Sequence, residues 1–401
     1  SPWRRELGEL TSGGGQIRDQ LEQVDAQAEE LLAPVLPELT VISAGRLGLV
    51  DAANSPVGTD GSSPNGTTNA GGAFASVPGI LLAQYGAWLD VQRIVTAAPY
   101  AVIGHSQGVL AAAMIASDSP ASVLALARLI GAAATKVTRA AGAERTENSA
   151  MLSVRGVPRD LLADLAAQMG ADLAIINSYN SMVVSGRPAD LERLTGKLDA
   201  VAQDSAAIRA AKKTGGAPIS PVAEFLDVDA PFHSHLLEPA VTLVDEWAAR
   251  CGISVEGADT LARAVLTDPL DWAGEVAETV KDFGRGYVVD LGPGNLQRLT
   301  TENLAGTGIT YVDAGIAAAR DEFVSGGPRM VTAEDWSGYA PQLATIGGHK
   351  VLQTAFSRLT GRSPIILGGM TPTTVDPEIV AAAANAGNWV ELAGGGQVTE
   401  E

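Results

Sequence analysis

The stretch that decides the fold is residues 100–116, YAVIGHSQGVLAAAMIA. Its beginning, Tyr100 to Gly104, is a short apolar run that we interpret as a strand, and its alanine-rich end, from about Gly108 to Ala116, is typical of a helix. Between them lies a Gly-x-Ser-x-Gly turn. A strand, such a turn and a helix, in this order, hold a serine on a sharp bend with its hydroxyl free. The order predicts an α/β fold with a nucleophile at Ser106.

A serine hydroxyl is a weak nucleophile and needs a neighbouring base, most often a histidine. The chain has four histidines. His105 adjoins the serine, but a sharp turn directs adjacent side chains apart, and His349 lies in a polar connecting region. The remaining pair belongs to Ala230-Pro231-Phe232-His233-Ser234-His235. We therefore expect this segment to return to the turn and supply the base.

Composition sets limits on the function. The chain has 401 residues, enough for two domains, and a net charge of -19, which argues against nucleic acid or an anionic membrane as the main partner. Its single cysteine, Cys251, excludes an internal disulfide and a thiolate-rich metal cluster. Apolar stretches are interrupted by charges and glycines, and the first residues lack a secretory pattern. We expect a cytoplasmic protein.

The residues between 150 and 229 form a separate pattern, which predicts strand, helix, two paired strands, helix and strand. This βαββαβ order suggests a ferredoxin-like subdomain inserted in the larger body. A polar, Gly-rich segment, Asp51 to Ala73, is interpreted as an exposed loop. The predicted elements of the insert are strands at Met151–Val154, Leu173–Asn177, Met182–Ser185 and Phe225–Val228, and helices at Arg159–Met169 and Ala189–Val201.

The end of the chain starts a new pattern. Residues 318–362 are largely polar and are predicted to be a linker. Pro364 to Leu367 then forms an apolar strand, Asp376-Pro377 begins a helix that stops near Gly387, and Val390 begins another strand. We predict a body at 1–149 and 230–317, the insert at 150–229, and one βαβ unit within 363–401.

These motifs together resemble the acyl-CoA:carrier-protein transferase family, most closely the acetyltransferase domain of bacterial and fungal type I fatty acid synthases, with a bacterial synthase as the expected source. The resemblance covers roughly residues 1–316 and implies an α/β-hydrolase-like body. It is carried by Gly104-His105-Ser106-Gln107-Gly108, Asn177 with Val183-Val184-Ser185-Gly186, Ala230-Pro231-Phe232-His233-Ser234, and Asp290-Leu291-Gly292-Pro293-Gly294.

The resemblance implies a role for each matching position. Ser106 would be the nucleophile, His233 the base, and the backbone N–H of Gln107 an oxyanion donor. A backbone carbonyl, placed near Asp271, would orient the histidine. Asn177 falls at a substrate-binding position.

One departure from the family concerns the acyl group. Malonyl-specific members carry an arginine before a glycine in the helix after the turn, and here the pair is Ile130-Gly131. Without that planar cation a buried malonyl carboxylate would lose its hydration uncompensated. Arg128 does not replace it, because two residues along a helix turn the side chain by about 200°. We expect an acetyl group at Ile130.

A second departure concerns the oxyanion site. Family members begin with a Gly-Gln-Gly loop that supplies another donor, and this sequence starts at Ser1-Pro2-Trp3, just after that loop's expected position. Gly14-Gly15-Gln16 does not replace it, since it precedes a helix instead of following a strand. Losing one donor typically costs about 100-fold to 1000-fold in rate. We expect the isolated chain to be impaired.

The segment from Pro364 to Gly396 resembles the start of the FMN-dependent enoyl reductase barrel that follows the acetyltransferase in type I synthases. That resemblance implies that the backbone at Gly368, Gly369 and Met370 would approach FMN, in the intact barrel only. The transferase itself would need no cofactor, and no metal is implied.

The function expected is loading of an acetyl starter from acetyl-CoA onto the phosphopantetheine thiol of an acyl carrier domain, through an acetyl-Ser106 intermediate. The partners expected are acetyl-CoA, the carrier and other synthase domains in a large homo-oligomer. The alternatives are a malonyl/palmitoyl transferase, a serine esterase, and an inactive structural segment of a synthase. An esterase would want a His-Gly-Gly-Gly-type loop upstream of the serine, which the sequence lacks.

Overall fold

A computed structural model gives the architecture. It describes residues 2–12, 15–43, 49–54, 72–93, 95, 98–212, 219–283, 286–293, 296–314, 318–319, 340–346, 349–370 and 376–393. The chain divides into two compact units, Ser1–Ala333 and Glu334–Glu401. The predicted loop at Asp51 to Ala73 falls mostly outside the described residues.

The first unit begins with a helical layer. Helices α1 to α7 span Pro2–Ser12, Gln16–Leu31, Leu36–Ser43, Leu49–Asn54, Ala73–Gln92, Gly108–Ala116 and Pro120–Ala140.

Helix α7 is the centre of this layer. It packs against α2, α5 and a helix later in the chain, Glu238–Cys251, and it is buried almost all round. Its contact with α5 is so close that a β-carbon at Gly131 would lie 2.5 Å from the main-chain oxygen of Ala73. By length and composition α7 could cross a membrane, but 83% of its apolar window is buried inside the protein. We interpret α7 as a core helix.

The inserted subdomain has the βαββαβ order that the sequence predicted. Its four strands form the order β4-β1-β3-β2, and neighbouring strands among these four are antiparallel. The elements are β1 Met151–Arg155, α8 Arg159–Gln168, β2 Asp172–Ser178, β3 Ser181–Ser185, α9 Pro188–Lys212 and β4 Val222–Phe225.

Strand β3 is buried along its whole length because its side chains alternate between two cores. Met182 and Val184 belong to the core of the insert with α8 and α9, whereas Val183 joins the core of the body. The insert is therefore packed onto the body through the face of its sheet.

The chain forms the second part of the body after the insert. Helix α10 covers Glu238–Cys251, α11 Ala258–Leu266, β5 Leu270–Asp271, α12 Trp272–Val280, β6 Gly286–Asp290, α13 Gln297–Asn303 and β7 Ile309–Asp313. Strand β5 adds to β2 in parallel, which links the insert to the body, and β6 pairs in parallel with β7.

The predicted strand Tyr100 to Gly104 is not confirmed. Within the described ranges these residues have no hydrogen-bonded neighbouring strand, and Tyr100 is 79% exposed. An apolar run satisfies the strand pattern, but a strand exists only when another strand pairs with it. The segment still leads directly into the turn at Ser106.

The second unit contains more secondary structure than the predicted linker at 318–362 allows. Within that range a hairpin, β8 Gln342–Ile346 with β9 His349–Gln353, is followed by helix α14, Ala355–Thr360. Helix α14 begins with a capping box at Thr354 and Ser357, a polar pattern that the sequence analysis interpreted as a linker. The predicted strand–helix–strand unit is confirmed as β10 Ile366–Leu367, α15 Pro377–Asn385 and β11 Trp389–Val390, with parallel strands. Its assignment to a barrel stays a prediction.

Candidate active site

The turn at Ser106 has the geometry that exposes a nucleophile. Ser106 has a φ of 54°, a left-handed conformation that residues other than glycine seldom adopt. A β-carbon at Gly104 would lie 2.1 Å from main-chain atoms of Gly108 and Val109, so only glycine allows the chain to turn this tightly. Helix α6 starts at Gly108, which directs its N-terminal N–H groups toward the serine end.

His233 meets this turn as the sequence predicted. It also has a left-handed φ, 57°, and its Nε2 lies 2.7 Å from Ser106 Oγ. Its Nδ1 lies 2.7 Å from the main-chain oxygen of Asp268. Because a carbonyl oxygen only accepts, Nδ1 carries the proton and donates a hydrogen bond to the main-chain oxygen of Asp268. Nε2 is then the acceptor for the serine O–H, the arrangement of a general base.

The placement of the orienting carbonyl at Asp271 is wrong, and Asp268 supplies it. The main chain of Asp271 pairs with Ile176 in the sheet, and its side chain accepts a hydrogen bond from the N–H of Gly274 to cap α12. Asp271 is therefore the N-cap residue of α12. Asp268 lies only three residues earlier, but which of the two carbonyls meets the histidine depends on how the loop after α11 turns.

Burial changes the pKa of His233. It lowers the pKa of His233 to about 4, and the hydrogen bond to the Asp268 carbonyl opposes this shift only in part. The imidazole is therefore neutral at neutral pH and can take the serine proton. His233 is 1% exposed, so bulk water does not compete for Nε2.

A cavity of about 170 Å³ opens at Ser106. Asp290 is the one acidic residue in its described lining, and its carboxylate is occupied, since it accepts hydrogen bonds from the Tyr311 hydroxyl and the N–H of Gly292. In the part of the chain that the structure describes, the N–H of Gln107 has no protein acceptor, as an oxyanion donor requires. The lining residues are Ile80, Gln84, His105, Ser106, Gln107, Gly108, Asp290, Gly292, Pro293 and Leu296.

Comparison with known proteins finds similarity to fatty acid synthases. The family described as "Fatty acid synthase central AT domain" matches residues 150–225. The fatty acid synthase β subunit aflB of Emericella nidulans is 29% identical over 347 residues, covering 73% of this chain and 16% of that protein. The β subunit TOXC of Cochliobolus carbonum is 31% identical over 364 residues, covering 73% and 17%. The chain therefore spans less than a fifth of these relatives.

The yeast relative gives the same result. The fatty acid synthase β subunit of Saccharomyces cerevisiae is 29% identical over 303 residues, covering 62% of this chain and 14% of that protein. The chain is related to the acyltransferase region of fatty acid synthase β subunits. These three relatives are fungal, and the expected bacterial source stays a prediction.

Solved structures show the same fold. The MCAT of Mycobacterium tuberculosis matches with a TM-score of 0.53 at 20% identity, covering 74% of this chain and 91% of that one. FabD of Acinetobacter baumannii matches with a TM-score of 0.51 at 20% identity, covering 78% and 93%. This acyltransferase region therefore has a FabD-like fold, and the likeness says nothing further about its substrate.

Asn177 is engaged by the protein itself. Its Oδ1 lies 2.8 Å from Nε2 of His105, and its main-chain oxygen accepts a hydrogen bond from Asn303. The His105 ring also makes a T-shaped contact with Trp272, at 5.3 Å between ring centres. Burial lowers the pKa of His105, so its neutral ring donates to Asn177. Asn177 thus holds the turn to β2 of the insert, and its predicted contact with substrate stays a prediction.

Ile130 is fully buried in α7 and belongs to the core of the body. It is not among the described lining residues of the cavity. Arg128 does face away from a substrate clamp, because its guanidinium is buried against the carboxylate of Asp25 on α2. The described lining of the cavity contains neither arginine nor lysine.

The three residues implied for FMN lie after β10 in the second unit. The N–H of Gly369 donates to the carboxylate of Glu391, and Met370 is 54% exposed. The nearby Arg362 stacks on Trp389 and donates to main-chain oxygens at the end of α15. The described residues between Gly368 and Ala393 offer the flavin phosphate carboxylates and neither a lysine nor an arginine, so the residues present do not fit FMN by themselves.

The sequence did not predict two contacts of the site. His105 adjoins the serine and is not its base, but its hydrogen bond to Asn177 fixes the turn. Gln84 on α5 lines the cavity and donates to the main-chain oxygen of Gly292. Gln84 lies 22 residues before the nucleophile in an apolar helix, and only its polarity on a buried face could have indicated it.

Proposed function

We propose that this chain transfers an acetyl group from acetyl-CoA to the phosphopantetheine thiol of an acyl carrier protein, through acetyl-Ser106. The observation that carries the proposal is the Ser106–His233–Asp268 arrangement, with two contacts of 2.7 Å around a neutral imidazole. The names of the relatives, all fatty acid synthase β subunits, support a role in fatty acid synthesis.

The reaction consists of two acyl transfers, first from CoA to Ser106 and then from Ser106 to the carrier thiol. As Ser106 Oγ attacks the thioester carbonyl, its proton passes to Nε2 of His233, and the N–H of Gln107 stabilises the oxyanion. The C–S bond then breaks, and the departing CoA sulfur takes the proton from His233. In the second half the carrier thiol gives its proton to His233 and attacks the acetyl ester, and Ser106 recovers the proton as it leaves.

The preference for acetyl rests on missing counter-charge. Among the described residues that line the cavity no cation is present, and Asp290 adds a negative group. A malonyl carboxylate would be desolvated there without a partner, which costs several kcal/mol. Ile130, at the position of the family's arginine, supports the same choice.

The proposal extends to partners and setting. One similar structure, with a TM-score of 0.51 at 19% identity, is a malonyl-transacylase in complex with its acyl-carrier protein. A carrier domain, other synthase domains in a large homo-oligomer and a cytoplasmic location belong to the proposal. FMN would be bound only by a longer barrel.

The test is competitive acylation with acetyl-CoA and malonyl-CoA, followed by intact mass. The parent chain should gain an acetyl adduct, Ser106→Ala should gain none, and Ile130→Arg should shift the ratio toward malonyl. Ile130→Met is the matched control for a changed side chain without charge. Absence of any adduct on the parent would refute acyl transfer, and an unchanged ratio in folded Ile130→Arg would place the specificity elsewhere.

The fate of the acyl group distinguishes an esterase from an acyltransferase. After acylation, the acetyl group should pass to an added pantetheine thiol much faster than to water. Rapid hydrolysis without transfer would favour the esterase instead.

A further inference from the structure

We infer that Ser185, at the end of β3 in the inserted subdomain, is a positioning residue that holds His233 in its active conformation. The inference deepens the proposed function and rests on it, since it concerns how the base of that reaction is fixed. Ser185 lies 48 residues before His233 in the sequence and does not line the cavity in the described part of the site.

The contact is direct and enclosed. Ser185 is fully buried, and its hydroxyl donates to the main-chain oxygen of Phe232 at 2.6 Å. That oxygen belongs to the peptide plane that joins Phe232 to His233. The bond therefore fixes the plane from which the φ angle of His233 is measured.

His233 needs such a constraint because its φ of 57° is disfavoured for a side chain with a β-carbon. Left alone, the residue would relax toward a negative φ and swing the imidazole away from Ser106. The next peptide is held as well, since the N–H of Ser234 donates to the main-chain oxygen of Leu266 at 3.1 Å. Ser185 holds the peptide before the histidine and Leu266 holds the one after it.

The two holding points come from different parts of the fold. Leu266 ends α11 in the body, whereas Ser185 ends β3 in the insert. The Asp268 carbonyl then sets only the ring, through Nδ1. The insert therefore contributes to catalysis by fixing the backbone of the base, in addition to its contact through Asn177.

Removing the Ser185 hydroxyl should lower the rate of acetyl transfer without weakening the binding of acetyl-CoA. A displacement of about 1 Å at a reacting group can cost about 100-fold in rate. Since Ser185 is buried away from the described cavity lining, the KM for acetyl-CoA should not change. We expect Ser185→Ala to lower kcat at least ~10-fold at an unchanged KM.

The experiment compares four variants of the full chain, measuring steady-state transfer of acetyl from acetyl-CoA to pantetheine and the melting temperature. Ser185→Ala removes the hydroxyl, Ser185→Cys keeps a similar volume with a weak donor, and Ser185→Thr keeps the hydroxyl. Ser181→Ala is the control, because Ser181 is a buried serine at the other end of the same strand.

We expect Ser185→Ala and Ser185→Cys to lose kcat, Ser185→Thr to recover most of it, and Ser181→Ala to match the parent. If Ser185→Ala does not fold, the inference is tested by comparing kcat of Ser185→Cys, which lacks the hydroxyl, with kcat of Ser185→Thr, which keeps it. If Ser185→Cys keeps the full kcat, or if the Ser185 variants raise KM and leave kcat unchanged, the inference is wrong while the proposed function stands. A parent chain that never forms acetyl-Ser106 would instead end the proposed function, and this inference with it.

Discussion

The two residues that meet at the site share an unusual backbone. Ser106 and His233 are the only residues other than glycine with a positive φ in the described part of the chain. Such conformations persist only where the surrounding contacts impose them, and they concentrate at functional sites. Here the tight turn at Gly104 imposes one, and the contacts of Ser185 and Leu266 with the neighbouring peptides impose the other.

The pKa of His233 predicts the pH dependence of acylation. Only the neutral ring can accept the serine proton, and the ring becomes protonated as the pH falls through about 4. The second-order rate of Ser106 acylation by p-nitrophenyl acetate should therefore stay level from neutral pH downward and fall with a midpoint near 4, where an ordinary histidine would give about 6.5. Stopped-flow release of nitrophenol measures it.

Ser106→Ala gives the background for this profile, and circular dichroism at each pH shows where the chain is folded. The same shift lowers stability as the pH falls from about 6.5 to about 4, because the unfolded histidine binds its proton first. A midpoint near 6.5 in folded protein would contradict the effect of burial on the pKa of His233.

At the scale of an element, the two glycines of the turn should differ sharply. A β-carbon at Gly104 would overlap the main chain of Gly108 and Val109, whereas one at Gly108 would meet no atom within 4 Å. We expect Gly104→Ala to abolish Ser106 labelling or prevent folding, and Gly108→Ala to keep the melting temperature of the parent. Thermal unfolding and active-site labelling check both, and equal tolerance of the two changes would disprove the tight turn.

Breaking the ion pair between α7 and α2 should cost much more stability than breaking a surface pair. Arg128 and Asp25 are buried, and Asp25 also accepts hydrogen bonds from the N–H groups of Leu49 and Val50 at the start of α4. Asp25→Ala leaves a buried guanidinium without a counter-charge, so we expect a loss of about 3–5 kcal/mol in the free energy of unfolding. Urea titration measures it.

The matched control is Glu22→Ala, which removes the exposed Arg18–Glu22 pair and should cost below about 0.5 kcal/mol. Adding Arg128→Met to Asp25→Ala should restore part of the loss, because the stranded charge is then gone. Equal costs for Asp25→Ala and Glu22→Ala would show that the buried pair does not stabilise the helices.

At the scale of the whole molecule, stability should reside in the first unit. Among the described residues, the fully buried members of both core clusters extend no further than Ile309, and helices α14 and α15 of the second unit bury no residue fully. We expect a chain ending at Ala333 to keep the main unfolding transition and the Ser106 labelling of the full chain. Circular dichroism during urea titration measures the first, with Trp389→Ala in the full chain as a control. Loss of the transition would show that residues 334–401 complete the core.

Much of the fold could be predicted because it depends on local pattern. Strand patterns predicted β1, β2 and β3, and helical periodicity predicted α8 and α9, since both periods are set by backbone geometry alone. The strand predicted at Tyr100 to Gly104 is not confirmed, because local pattern alone does not make a strand. The segment is apolar, but a strand also needs a neighbouring strand to pair with, and the sequence of one segment does not specify that neighbour.

By itself the sequence determined the residue types on which the proposed chemistry rests: a serine on a Gly-x-Ser-x-Gly turn, a scarce histidine as the candidate base, and an isoleucine where the family resemblance places a carboxylate-binding arginine. Those are choices of residue type, which a side chain carries wherever the chain folds. The tertiary structure alone decided the register of the contacts, with Asp268 in place of Asp271, Asn177 bound to His105, and Ser185 holding the peptide before His233. These depend on distances of about 3 Å between segments far apart in the chain, and such distances follow only from how the insert packs on the body.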